Sequence, residues 1–313
     1  MTSEPGSEAQ AAGPESLTHL WTIATGAAIV AGAWWLRSPR LPYLAAAVIA
    51  TVVAAAAVAG LVRRDRRWAG SAVGASLLFC VLALLAHQTL GRIDDDWPAY
   101  RASLVAHGAQ ALDGELSSTA RSLRESAERA LDAPVQVASA FDALSGGVRG
   151  HPERALVLYR RGVPAAWAGR THTATDSLVS PLGVVYSPFY VTMYVAVVRG
   201  ESRAVATATV HALPPGDRLA PAMANRVARD VGLHSFTVSP RDTLAIDAGT
   251  VAFAPAGDTL LVARAVALGP EEARLLALER VRTTGAVAIV LALALFLVAA
   301  WRQERSIRWR MAP

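Results

Sequence analysis

Four stretches of this chain are too long and too apolar for the core of an ordinary soluble domain: residues 17–36, 41–62, 68–90 and 283–301. A helix needs about 20 apolar residues to cross the hydrocarbon of a bilayer. With no water there, its backbone groups must bond within the helix itself. All four stretches therefore read as transmembrane helices. Composition agrees: 53% of the 313 residues are hydrophobic and only 18% are charged, against about a quarter charged in soluble domains. Between the third and fourth runs lies a mixed segment, residues 92–281, of ordinary domain size. The expected fold class is an α+β membrane protein, with four transmembrane helices and one folded domain between the last two.

This divides the chain into a disordered tail (1–16), a three-helix membrane region (17–91), the domain (92–281), a fourth membrane helix (282–301) and a basic tail (302–313). The first tail is acidic and lacks the basic region of a cleaved signal peptide. Orientation follows from arginines in short loops. Arg63, Arg64, Arg66 and Arg67 lie between spans two and three, and Arg302, Arg305, Arg308 and Arg310 follow span four. Both groups fall on one side of a four-span chain, which should be the cytoplasm; Arg37 and Arg40 oppose this mildly. The expected location is a bacterial inner membrane, with both termini cytoplasmic and residues 92–281 outside.

The net charge is +5, and every basic residue is arginine. A basic balance often accompanies nucleic-acid binding. Here the arginines cluster at span ends, so the reading is topological: membrane lipid is an expected partner and nucleic acid is not. Cys80, the single cysteine, lies inside a span, so no intrachain disulfide forms. Gly26, Ala28 and Gly32, then the alanines 54–57 and Gly60, offer small faces for close helix packing within the chain. Trp34, Trp35, Trp68 and Trp301 fall at span ends, where an interfacial belt accounts for them, and His87 reads as interfacial too.

In the domain, Asp94, Asp95 and Asp96 before Trp97 and Pro98 form a helix start signal. Consecutive carboxylates without further ligands do not build a calcium cage. Residues 100–131 follow helical spacing, with Ala109, Leu112, Leu116, Thr119, Leu123, Ala127 and Ala130 on one stripe that packs on a partner or on its own domain. Gly108 and Gly114 weaken that helix. A second helical piece, 135–144, ends at Gly146 and Gly147. The period then switches to two. Residues 155–159 and 163–168 form a hairpin around Arg160, Arg161 and Gly162. One long strand is expected over 184–198, turning at 199–202 into 203–212. A short helix follows at 220–231, then strands at 235–239, 243–247, 251–253 and 259–267. A helix opens at Pro270 and runs into span four.

This order resembles the extracytoplasmic PAS-like (Cache-type) sensor domains of bacterial sensor histidine kinases and chemoreceptors, over roughly residues 92–301. Residues 156–170, LVLYRRGVPAAWAGR, look like the first hairpin of such domains. The resemblance implies an N-terminal helix rising from one span, a mixed antiparallel sheet forming a pocket, and a terminal helix carrying a signal into the next span. It also implies a homodimer, an unknown small-molecule ligand and a cytoplasmic kinase or regulator as partners. The kinases of that family continue into phosphoacceptor and ATP-binding domains; these 313 residues contain neither, so no enzyme activity is expected of them.

Pockets of this kind use aromatics and a few polar groups between the sheet and a covering loop. The candidate ligand-binding residues are Trp167, Arg170, Tyr186, Tyr190 and Tyr194, with Arg170 placed to pair with an anion. Strand alternation sets Tyr190, Thr192 and Tyr194 on one face and Phe189, Val191 and Met193 on the other. His172 and Asp176 supply only two of the ligands a metal needs and read as a solvated loop. His211 and His234 read as structural. No hydrolase, metalloprotease, phosphate-loop or dinucleotide motif occurs, and no cofactor or metal is expected. The alternative reading is a structural or assembly subunit of a membrane complex, with the aromatics as interface anchors.

Overall fold

A computed structural model describes residues 14–61, 63–213, 222–240, 247–255 and 257–310. The first 13 residues of the expected disordered tail and most of the strand expected at 243–247 lie outside the described residues. The helices are α1 (Pro14–Arg37), α2 (Leu41–Ala59), α3 (Arg63–Asp95), α4 (Trp97–Leu131), α5 (Val137–Val148), α6 (Met223–Val231) and α7 (Pro270–Arg310). The strands are β1 (Arg154–Arg160), β2 (Val163–Gly169), β3 (Gly183–Tyr186), β4 (Tyr190–Arg199), β5 (Ser202–Ala212), β6 (Ser235–Ser239), β7 (Thr250–Phe253) and β8 (Leu261–Val266). The chain is α+β and divides into two compact units, one of α1, α2, α3 and α7, the other spanning Asp96–Gly269.

In the helical unit, all four helices are long and apolar enough to cross a membrane, the make-up of a multi-pass membrane protein. Helix α1 already begins at Pro14, inside the expected tail, and α3 starts at Arg63, so the arginines expected in a loop form its first turn. Helix α7 runs for 41 residues, about 60 Å at the helical rise and roughly twice the hydrocarbon thickness. The segment expected as a basic tail is helical as far as Arg310.

One tryptophan assignment is corrected. Trp35 is buried rather than interfacial, and its ring meets Phe79 edge-on at 6.2 Å. Trp21 is equally buried, against Phe296 at 5.9 Å. Trp34, Trp68 and Trp301 are exposed, each with an arginine over its ring: Arg37, Arg302 and Arg305. Phe79 occupies a slot between two glycines on different helices. A Cβ on Gly32 of α1 would lie 2.6 Å from its ring, and one on Gly285 of α7 would lie 3.3 Å away. Gly26 borders open space. At one end of α3, Asp94 pairs with Arg274 of α7 at 3.2 Å.

In the α+β unit, Asp96 caps α4 through its side chain, which accepts from the Ala99 N–H at 3.2 Å. The apolar stripe of α4 is buried, extended by Gly108 and Ser126, and it packs on the unit's own two sheets. Strands β2-β1-β5-β4-β3 form one antiparallel sheet and β6-β8-β7 a second. A single core joins α4, α5 and α6 to both: Leu112, Leu116 and Leu123 meet Leu156, Leu158, Met193 and Val195 of the first sheet and Phe236, Phe253 and Leu261 of the second.

Gly108 does more than weaken the helix: a Cβ there would sit 2.3 Å from the Leu233 side chain, whereas Gly114 is exposed with open space around it. Gly114→Ala should therefore gain up to about 1 kcal/mol of helix propensity. Gly108→Ala should lose more than that gain, because Leu233 must move. Thermal unfolding of the two variants would check this, and equal shifts of the same sign would contradict it.

The β1–β2 turn has Arg161 at φ 52° and Gly162 at φ 79°, the left-handed pair of a tight hairpin turn. The strand expected at 184–198 is two antiparallel strands, β3 and β4, split at Ser187 and Pro188. Proline cannot donate to a ladder, and the Ser187 hydroxyl and backbone both bond to Tyr190 across the turn.

Candidate functional site

Strand β1 is buried on both faces. Leu156 and Leu158 join the helix-side core, while Val157 and Tyr159 face the other way with Val205, Tyr194 and Ala196. The loop between β2 and β3 covers that second face through residues 172–178. The Tyr159 hydroxyl and Thr175 Oγ1 share a 2.7 Å hydrogen bond. Arg203 lays its guanidinium 4.5 Å over the Tyr159 ring and donates to the Asp176 carbonyl at 2.7 Å. Leu178 drops from the loop into the apolar cluster. On the same face Thr192 opposes Thr209 and Tyr194 opposes Thr207, and all three threonines are buried.

Two of the five candidate residues lie under this loop. Tyr194 is buried with its ring against Gly183, where a Cβ would come within 2.5 Å of the phenol. Tyr190 stacks on His172, ring centres 4.2 Å apart. Burial, and then the nearby Arg170 charge, hold the His172 imidazole below its ordinary pKa. The structure thus gathers Tyr190, Arg170 and His172 at one end of the loop, and His172 is a stacked residue rather than a solvated one. Trp167 is on the same face but on β2, three strands from β4 or about 14 Å. It is exposed and packs edge-on against Phe141 of α5 at 4.9 Å.

Tyr186 is turned to the opposite face. Its hydroxyl lies 3.0 Å from the Ser239 carbonyl and 3.2 Å from that of Leu260, tying the first sheet to the second. Burial pushes its pKa up to about 12. Phe189, expected to share a face with Val191 and Met193, sits in the turn and is exposed.

Burial also holds His211 below the ordinary histidine value of 6.5. A histidine whose folded pKa is depressed binds its proton more readily when unfolded, so stability falls as pH drops through about 6.5 and levels off below the folded pKa. The melting temperature at pH 5.5 should lie below that at pH 7.5. The double variant His172→Gln/His211→Gln should narrow the gap, and an undiminished gap would assign it to carboxylates instead.

A second polar group is buried beside α4. The Glu153 carboxylate is approached by His151 at 3.5 Å, Arg226 at 3.6 Å and Arg154 at 3.9 Å. Arg154 donates to Ser122 at 2.8 Å and Arg226 to Glu115 at 2.8 Å. Burial lowers the Arg154 pKa, an effect opposed by the charges of Glu153 and Glu115. The cluster ties β1 and α6 to α4. Among the described residues no three His, Cys, Asp or Glu converge as metal ligands would.

On the helix side a half-open cleft of about 380 Å³ lies between α4 and the ends of β3 and β7. Its mouth carries Ser117, Arg121 and Arg124, and its wall Leu182, Val195 and Phe253. The sequence alone marks Arg121 and Arg124 only as charges off the apolar stripe. Their i, i+3 spacing is the signal available there; the wall residues lie far along the chain.

No protein-family model, curated protein or solved structure matches the chain.

Proposed function

We propose that the protein is a membrane sensor, in which the α+β unit detects a small molecule or a state of the cell envelope and α7 carries the change across the membrane. The observation that carries this reading is the way the α+β unit is spliced into the helical one. Only Asp96 separates α3 from α4, and only residues 267–269 separate β8 from α7. Joints of one and three residues give a shift of α4 or β8 a short covalent path to α3 and α7. A ligand would move the equilibrium by binding one arrangement of the unit better than another. The reading has the α+β unit outside a bacterial inner membrane and both termini inside. The PAS-like resemblance, with its N-terminal helix, antiparallel sheet and terminal helix, adds to it.

The test is mild affinity purification of the protein from its own membranes, with mass spectrometry of what is retained. A kinase or regulator is the expected companion. Recovery in fixed ratio with a large membrane assembly would overturn the sensor reading in favour of an assembly subunit.

A further inference from the structure

The cleft beside α4 has the chemistry of a binding site for a small organic anion. Ser117, Ala120, Arg121 and Arg124 follow one another at i, i+3, i+4 and i+7, so a single ridge of α4 forms one wall. The opposite wall is apolar: Val195 and Phe253 are buried and Leu182 partly so. Most arginines of this unit already have a partner. Arg154, Arg199 and Arg226 are in ion pairs, Arg160 bonds to the Ala133 and Pro134 carbonyls, and Arg203 holds the covering loop. Arg121 and Arg124 make no ion pair or hydrogen bond with any described residue. Two guanidiniums at the mouth of an apolar hollow match a ligand with a charged head and an apolar body. Their planar forks suit a carboxylate, and 380 Å³ lies within the range of small-molecule sites.

We infer that this cleft binds a small carboxylate with an aromatic or short aliphatic body, its head held by Arg121 and Arg124 and its body against Leu182, Val195 and Phe253. The ligand would then bridge α4 to the ends of β3 and β7. This deepens the sensor reading and rests on it for the purpose of binding, though not for the chemistry.

The experiment is calorimetric titration of the full chain, in nanodiscs of zwitterionic lipid, with phenylacetate, its neutral counterpart phenylacetamide, and inorganic phosphate. Phenylacetate should bind, and the amide and phosphate should each bind at least about tenfold more weakly, the size of one lost charge-assisted contact. Arg121→Gln and Arg124→Gln should each weaken phenylacetate by about tenfold or more. Arg101→Gln, elsewhere on α4, should leave it unchanged. All three arginines are exposed, so the variants should melt within about 2 °C of the parent. Equal binding of acid and amide, binding indifferent to both cleft substitutions, or no binding of phenylacetate at millimolar concentration would overturn the site. Binding that depends on the arginines but leaves the recovered partners unchanged would retain the site and count against the sensor reading alone.

Discussion

Replacing Gly169 by alanine is expected to lower the stability of the α+β unit by about 4 kcal/mol, a fall of roughly 10 °C in Tm for a unit of this size. Two causes add. Gly169 has φ +79°, where a side chain is strained. Its Cβ would also lie 2.2 Å from the Arg154 carbonyl oxygen and 2.9 Å from the Ala155 Cα. Those are backbone atoms of the paired strand, so no rotamer relieves the contact and β2 must part from β1 at the root of the covering loop. Gly150 separates the causes: its φ is +80° and the space a methyl group would take there is open, so Gly150→Ala should cost only about 1–2 kcal/mol. Thermal unfolding of the full chain followed by tryptophan fluorescence would compare them. Equal losses at both positions would mean that the strand pair yields freely.

Glu153→Gln is expected to cost about 3 kcal/mol, within the range for removing one member of a buried charge cluster. The substitution keeps the shape and removes the charge. Arg154, itself buried, would keep the Ser122 hydroxyl and the weaker Glu115 charge but lose the Glu153 carboxylate, the larger of its two compensating charges. The double variant Glu153→Gln/Arg154→Met should recover part of the loss, because an apolar replacement leaves no uncompensated charge. Unfolding of both variants measures the coupling directly. A loss below about 0.5 kcal/mol for Glu153→Gln, the scale of an ordinary surface change, would show that water already solvates the group.

The elements governed by local chemistry are legible in the sequence. The stripe of α4 can be read because helical spacing repeats without a break from Ala109 to Ala130, and the β1–β2 turn because Arg161 and Gly162 sit between two apolar runs. The split of residues 184–198 is hidden although Pro188 announces it: an aromatic, β-branched run outweighs one proline. Trp35 shows a different limit. Its place at a span end suits an interfacial belt, and only the slot beside Phe79 draws it inward. The sites depend still more on distance along the chain. That Tyr186 and Tyr190 face opposite ways follows from the turn between them, which the single-strand reading conceals. The cleft unites Arg121 with Leu182 and Phe253, whose meeting is fixed by sheet order rather than by any neighbouring residue. Helix propensity gives no sign that Gly108 is needed, since its use lies entirely in the space Leu233 occupies.

The slot that holds Phe79 works as a key in a keyway. Its ring belongs to α3, while the two glycines that admit it belong to α1 and α7, and the Asp94–Arg274 pair fastens α3 to α7 again near one end. Sliding α7 along its own axis while α1 and α3 stand still would bring a bulkier residue than Gly285 against the Phe79 ring, so an axial slip of one helix alone carries a steric cost. The contact therefore couples the axial position of α7 to that of α3, and through Gly32 to that of α1.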